Sequence, residues 1–262
     1  MKLIWNKQVE VRLGIASSIA KESGFSWEQT IADADRLGVS LVQLYLPPEP
    51  DSIQNYMQLL DASAYAGFSC YFHLPDSVNS NQLKRYQQNL GQHSKSALFI
   101  LHEKYFSDNL LDVLLEQQLM IGIENDAPGP EIDLYLKRLS QLNKYGINLT
   151  VVFDYSRFYA QFYEKYGTAK IAERSAEIIR FCRDHYVPLV LHVIDHWDVK
   201  AQRENWTVLF DGRLPWKKLI KNALDKAPVL KSLVFEYENY NHTEQSIWEL
   251  GKWITSISHR NI

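Results

Sequence analysis

Short apolar runs recur along the chain, each ending on a polar residue and each followed by a loop and a stretch of helical periodicity. They are VRLGIA from Val11, LVQLYL from Leu41, FSCYFHL from Phe68, ALFILH from Ala97, LMIGIE from Leu119, LTVVFD from Leu149, PLVLHV from Pro188 and SLVFE from Ser232. Runs this short, rich in β-branched and aromatic residues, read as strands buried on both faces. The segments between them carry helix punctuation. Ser26 with Gln29 makes a capping-box pattern and Gly38 a stop; Ser107 opens DNLLDVLLEQQ; Gly67 and Gly146 close two more helices, and Pro215 suits a first helical position. Eight strands alternating with helices predict parallel βα units closed into a (β/α)8 TIM barrel, an α/β fold that takes ~250 residues. The chain, residues 1–262, is then one such domain. The fallback is an open doubly wound sheet, but no glycine-rich dinucleotide loop follows the first run.

In a barrel of this kind the active site lies at the C-terminal ends of the strands, so the residue closing each run is the informative one. Those residues are Gln43 or Tyr45, His73, His102, Glu124, Asp154, His192 and Glu236. Strand residues two apart face the same side. Glu124 therefore shares its side with Gly122 and Met120, Asp154 with Val152, His192 with Val190, and Glu236 with Val234. All four can point inward above an apolar plug. One carboxylate after a strand commonly caps the next helix, and a lone histidine is commonly a hydrogen-bonded structural residue. Four ligand-type residues closing four successive strands are a different matter. Three carboxylates meeting at one small mouth repel each other unless a cation sits among them, and a divalent metal is the simplest compensation. Oxygen-dominated ligation with a single imidazole suits Mn2+ or Mg2+, with Co2+ or Zn2+ able to occupy the site.

Composition narrows the partners. The net charge of −3, from 28 basic and 31 acidic residues, gives no reason to expect a polyanion such as nucleic acid. The start MKLIWNKQVEVRLG lacks the apolar core of a signal peptide, and no apolar run approaches the ~20 residues of a membrane span. Cys70 and Cys182 form no metal or disulfide pattern. The expectation is a cytoplasmic protein with a small-molecule ligand, no nucleic-acid or membrane partner, and an open question of homo-oligomerisation.

The phrases SWEQTIADADRLGVSLVQLYL, FHLP at His73, GIEN at Glu124, FDYSR at Asp154, LHVID at His192, DGRLPWKKLI at Asp211 and VFEYEN at Glu236 resemble, in order and spacing, the xylose-isomerase-like TIM barrel superfamily. That superfamily includes sugar epimerases and isomerases, inosose dehydratases and endonuclease-IV-type apurinic nucleases. The resemblance covers essentially the whole chain. It implies that Glu124, Asp154, His192 and Glu236 hold one divalent ion and that His73 and His102 lie over the same cavity. Several positions depart from the pattern. Gln43 stands where the second strand often ends in Glu, the usual Asp-x-x-His is Asp154-Tyr-Ser-Arg157, and the usual His-Leu-Lys-Asp is His192-Val-Ile-Asp195. Arg157 cannot ligate a metal but can grip a carboxylate or an oxyanion, unless it serves only a loop salt bridge.

A site of this composition can stabilise the enediolate formed when a proton leaves the carbon beside a carbonyl. Glu124 and Glu236 are the candidate proton carriers, and His73, His102 and Arg157 the candidate substrate-binding residues. The chemistry implied is a metal-dependent isomerase or epimerase of a keto-sugar or polyol, with an inosose-dehydratase-like lyase as the close alternative. An apurinic nuclease needs additional imidazoles after the sixth and seventh strands, where Arg157 and Asp195-His196 stand. A non-catalytic sugar-binding barrel is the remaining alternative. Tyr45, Phe72, Tyr155, Phe158 and Trp197 are available to stack on a sugar, though most of them suit core or loop packing. The loops after the seventh and eighth strands carry one glycine between them, so no backbone phosphate cradle is expected and the substrate is read as unphosphorylated, although Arg157, Lys200 or Arg203 can substitute for such a cradle.

Overall fold

The computed structural model describes residues 2–5, 9–126, 131–198, 200, 202–226 and 229–258. The strands are β1 (Lys2–Trp5), β2 (Val9–Ala16), β3 (Leu41–Tyr45), β4 (Ser69–His73), β5 (Leu98–His102), β6 (Met120–Glu124), β7 (Asn148–Asp154), β8 (Leu189–Val193), β9 (Asp195–His196), β10 (Trp206–Thr207) and β11 (Leu230–Phe235). Strands β2 to β8 and β11 pair in parallel, and the pairing of β2 with both β11 and β3 closes the sheet into an eight-stranded barrel. The predicted strands are all present. Two hairpin pairings are additional: β1 lies antiparallel on β2, and β9 pairs with β10.

Helices α1 (Trp27–Arg36), α2 (Met57–Tyr65), α3 (Ser80–Leu90), α4 (Asp108–Gln117), α5 (Ile132–Lys144), α6 (Tyr155–Asp184), α7 (Trp216–Lys226) and α8 (Tyr240–Ser258) follow the barrel strands in turn. Ser26 caps α1 by accepting from the Gln29 backbone N–H, but the Gln29 side chain turns to Asp33 and the box stays half made. The complete capping box belongs to Asn79 and Gln82 at α3. Gly67 and Gly146 take the left-handed conformation that ends α2 and α5, with φ of 84° and 74°. At Gly167 (φ 68°, ψ 167°) a kink divides α6 into two helical stretches.

Alternation along each strand sorts the core into two parts. Outward residues such as Phe72, Phe99, Ile121, Phe153, Leu191 and Phe235 pack beneath the helices. Inward residues Ala16, Leu41, Leu98, Ile100, Val152, Val190 and Val234 form a separate apolar plug, with Tyr71 and Met120 against it. Gly122 belongs to the inward row of β6, directly below Glu124, and it is a glycine for want of space. A Cβ there would lie 2.7 Å from Val152 Cγ2 and 3.2 Å from Ile100 Cγ1. Gly122→Ala forces plug side chains off their positions and is expected to lower stability by about 1–3 kcal/mol, measured as a shift in chemical denaturation. An unchanged midpoint would mean that the plug has slack.

Candidate metal and substrate site

The inward row continues above the plug as a ring of polar residues. Parallel register sets their heights: His102 lies level with Glu124, Asp154 with His192, and Tyr45 with His73. Glu124, Asp154, His192 and Glu236 are all buried, and one ligand-type atom from each lies within 4.8 Å of the others. His192 Nδ1 is 3.3 Å from Glu124 Oε1 and 3.3 Å from Glu236 Oε2. Both His192 Nδ1 and Glu124 Oε1 are buried atoms without a hydrogen bond among the described residues. His192 Nδ1 faces Glu124 Oε1 and Glu236 Oε2 inside this acidic cluster, an arrangement that fits a cation-binding site, since carboxylates this close repel one another unless a cation sits among them.

Gln43 explains why His192 presents Nδ1. The Glu236 carboxylate can only accept, so the Gln43 amide nitrogen must donate to its Oε1, at 2.9 Å. That turns the Gln43 carbonyl oxygen to His192 Nε2, also at 2.9 Å, which therefore carries the proton. Nδ1 is left to face the cluster, where burial is outweighed by Glu236 and Glu124 and His192 is held well above its ordinary pKa, so an ion would take Nδ1 in exchange for a proton. A glutamate at position 43 would hold His192 equally well but would set a like charge against Glu236. Asn125 performs the corresponding task between β6 and β7. Its side chain accepts from the Asp154 backbone N–H at 2.8 Å and donates to the Asp154 carbonyl at 2.9 Å, fixing Asp154 beside Glu124.

Burial alone would raise the Glu124 pKa, but His192, His102 and His73 around it hold it well below the ordinary range. His73 Nε2 is 3.3 Å from Oε2, and His102 Nε2 is 3.6 Å from Oε1. Asp154 responds differently: burial, helped by Glu236 and Glu124, pushes it up to about 6 against the pull of Arg157. Asp154 also caps α6, its Oδ1 accepting from the Arg157 backbone N–H at 2.9 Å. The Arg157 side chain then folds back into the cluster. Its Nε is 2.8 Å from Asp154 Oδ2, and Nη1 lies 3.2 Å from Glu124 Oε1 and 3.0 Å from His102 Nε2. Asp126, paired with Lys104, lies 3.9 Å from the same Nη1. The Arg157 salt bridge with Asp154 thus lies within the candidate cluster.

His73, His102 and Glu124 form a second group with ligand-type atoms within 4.8 Å of one another. The guanidinium against His102 places a positive charge there, which disfavours a second cation. Above both groups opens a cavity of about 320 Å3 lined by Tyr45, His73, His102, Asp76, Arg157 and Glu236, among others. Glu236, 6% exposed, reaches this space, whereas Glu124 is fully buried behind it. Of the aromatic candidates, Tyr45 lines the cavity. Phe72, Tyr155 and Phe158 belong to the core beneath the helices, and Trp197 is exposed.

Asp195 is an organiser of the loop after β8. Its carboxylate accepts from the backbone N–H groups of His196, Phe210, Gly212 and Leu214. Gly212 is pressed so closely onto Asp195 that a Cβ there would lie 2.1 Å from Oδ1. The glycine of this loop serves that contact, and its N–H already has an acceptor. Sequence reasoning gave Gln43 a place on a strand end without a role, and it passed over Asn125. A buried amide beside a carboxylate ligand was the available signal in both cases.

No family model matches the chain, and no curated protein sequence does. Solved structures do match in fold. The chain is similar to a xylose isomerase domain protein from Planctomyces limnophilus (14% identity, 95% of this chain and 99% of that one, TM-score 0.62). It is similar to an L-ribulose 3-epimerase (13% identity, 96% of each chain, TM-score 0.63). A third match is the IOLI protein with a bound zinc atom (11% identity, 95% and 98%, TM-score 0.59). The fold these structures share with the chain is the (β/α)8 barrel.

The bridging role of Gln43 has a measurable consequence. Gln43→Leu leaves His192 and Glu236 without their common partner and is expected to weaken Mn2+ binding by about 10–100-fold in calorimetric titration. Unchanged affinity would show that the ligands hold their orientation without it.

Proposed function

We propose that the protein is a divalent-metal-dependent isomerase or epimerase of a small, unphosphorylated keto-sugar or keto-bearing polyol, acting through an enediolate. The observation that carries this reading is the buried set Glu124, Asp154, His192 and Glu236, which opens through Glu236 into a cavity at the barrel mouth. At about 320 Å3 the cavity is at the small end of the range typical of small-molecule sites. That one fold neighbour is an L-ribulose 3-epimerase supports the same reading.

A divalent ion held by these four residues supplies a Lewis acid that stabilises negative charge on adjacent substrate oxygens. Everything else is the work of the chain. Glu236, at the cavity floor and oriented by Gln43, is the residue placed to take the proton from the carbon beside the carbonyl. Epimerisation needs a second carrier on the other face; Glu124, across the cluster, is the candidate, and the substrate must reach the wall behind which it is enclosed. Return to the neighbouring carbon gives isomerisation. His73, His102 and Arg157 at the mouth orient substrate oxygens, and the plug beneath keeps water out from below. Engagement of Gly212 by Asp195 supports an unphosphorylated substrate, because it removes that loop's glycine N–H from any phosphate cradle.

The test is solvent hydrogen exchange. With Mg2+ or Zn2+ present in D2O, NMR of a panel of keto-sugars and inososes is expected to show deuterium entering beside the carbonyl. Glu236→Gln is expected to slow that entry by at least ~100-fold at saturating metal. Absence of exchange across the panel, or full exchange in Glu236→Gln, would contradict the proposal.

A further inference from the structure

Arg157 engages the candidate metal ligands themselves. Its backbone N–H and its Nε take the two oxygens of Asp154, at 2.9 and 2.8 Å, and its Nη1 stands 3.2 Å from Glu124 Oε1, an oxygen with no hydrogen bond of its own. One guanidinium thus bridges two of the four residues that a divalent ion would use. Burial works against its charge, but Asp154, Glu124 and Glu236 more than offset this and keep it protonated. Cation and guanidinium carry charge of the same sign and want the same lone pairs, so they cannot both hold Asp154 Oδ2 and Glu124 Oε1 at full strength.

The side chain also has somewhere to go. It is 36% exposed and forms part of the wall of the cavity, next to His102. Rotation of its outer bonds towards that space frees both carboxylates, while the backbone N–H keeps Asp154 Oδ1 and the helix cap intact. Charge balance favours the exchange. With His192 neutral, as a metal ligand must be, three carboxylates and one guanidinium leave two negative charges in the cluster, which one divalent ion neutralises with Arg157 still at the mouth.

Resting on the metal site proposed above, we propose that Arg157 is a resident counter-ion that competes with the divalent ion. It neutralises Asp154 and Glu124 when the ion is absent and swings to the cavity mouth when the ion binds. Metal loading then places a fixed positive charge where a ligand enters. The competition lowers cation affinity, and coupling of this kind is typically worth about 5–150-fold.

Two measurements test it. In calorimetric titration with Mn2+, Arg157→Gln is expected to bind about tenfold more tightly than the wild type, since the side-chain competitor is gone and the cap-forming N–H remains. In the wild type, the 15Nε resonance of Arg157 is expected to shift and lose its exchange protection on saturation with diamagnetic Mg2+. Equal or weaker Mn2+ binding by Arg157→Gln overturns the proposal and leaves the metal site standing. Tighter binding with an unmoved 15Nε resonance overturns the displacement, charge alone then being responsible. If neither protein binds Mn2+, the metal site itself fails and the competition with it.

Discussion

A carboxylate at the end of a core strand loses its hydration, and the way Glu124 is compensated governs the rest of the site. Three imidazoles and a guanidinium surround it, each projected from a different strand end or from the helix start that follows one. None of these groups could reach Glu124 if the barrel were open or a strand slipped by one residue, because each slip turns the inward row outward. Closure through β2, the small residue at Gly122 and the register of β5 with β6 are therefore conditions for the chemistry as much as for the fold.

Gln43 and Arg157 act on the charge of the cluster in one direction. Gln43 is a neutral partner that adds no negative charge beside Glu236, and Arg157 adds a positive charge beside Glu124 and Asp154. Both bring the cluster closer to the charge that one divalent ion cancels. The two glutamates are also inequivalent. Glu236 meets the cavity, while Glu124 is enclosed and held as a carboxylate by its neighbours. A mechanism with two symmetric proton carriers asks more of Glu124 than of Glu236, and the enclosed residue is suited first to holding charge.

The barrel was legible in the sequence because its strands are short apolar runs with a polar final residue, and period-two alternation placed that residue above the plug. Val152, Val190 and Val234 are in the plug where alternation put them. The β1 and β9–β10 hairpins were not legible. Lys2–Trp5 lies too close to the first run to separate from it, and two-residue strands carry no period. The metal-type cluster could be anticipated from residue types at strand ends. The engagement of Arg157 could not, since position 157 lies on a helix and its reach back to Glu124 depends on the turn that Asp154 caps. The loop-organising role of Asp195 was hidden for a similar reason, its partners being backbone N–H groups up to nineteen residues away.

The central claim is that the strand-end carboxylates and His192 hold one divalent ion. Diffraction from Mn2+-soaked crystals at the manganese absorption edge tests it most directly. The account predicts one anomalous peak per chain, within bonding distance of Glu124, Asp154, His192 and Glu236. A cluster without a peak at saturating Mn2+, or a peak bound elsewhere on the chain, would contradict it.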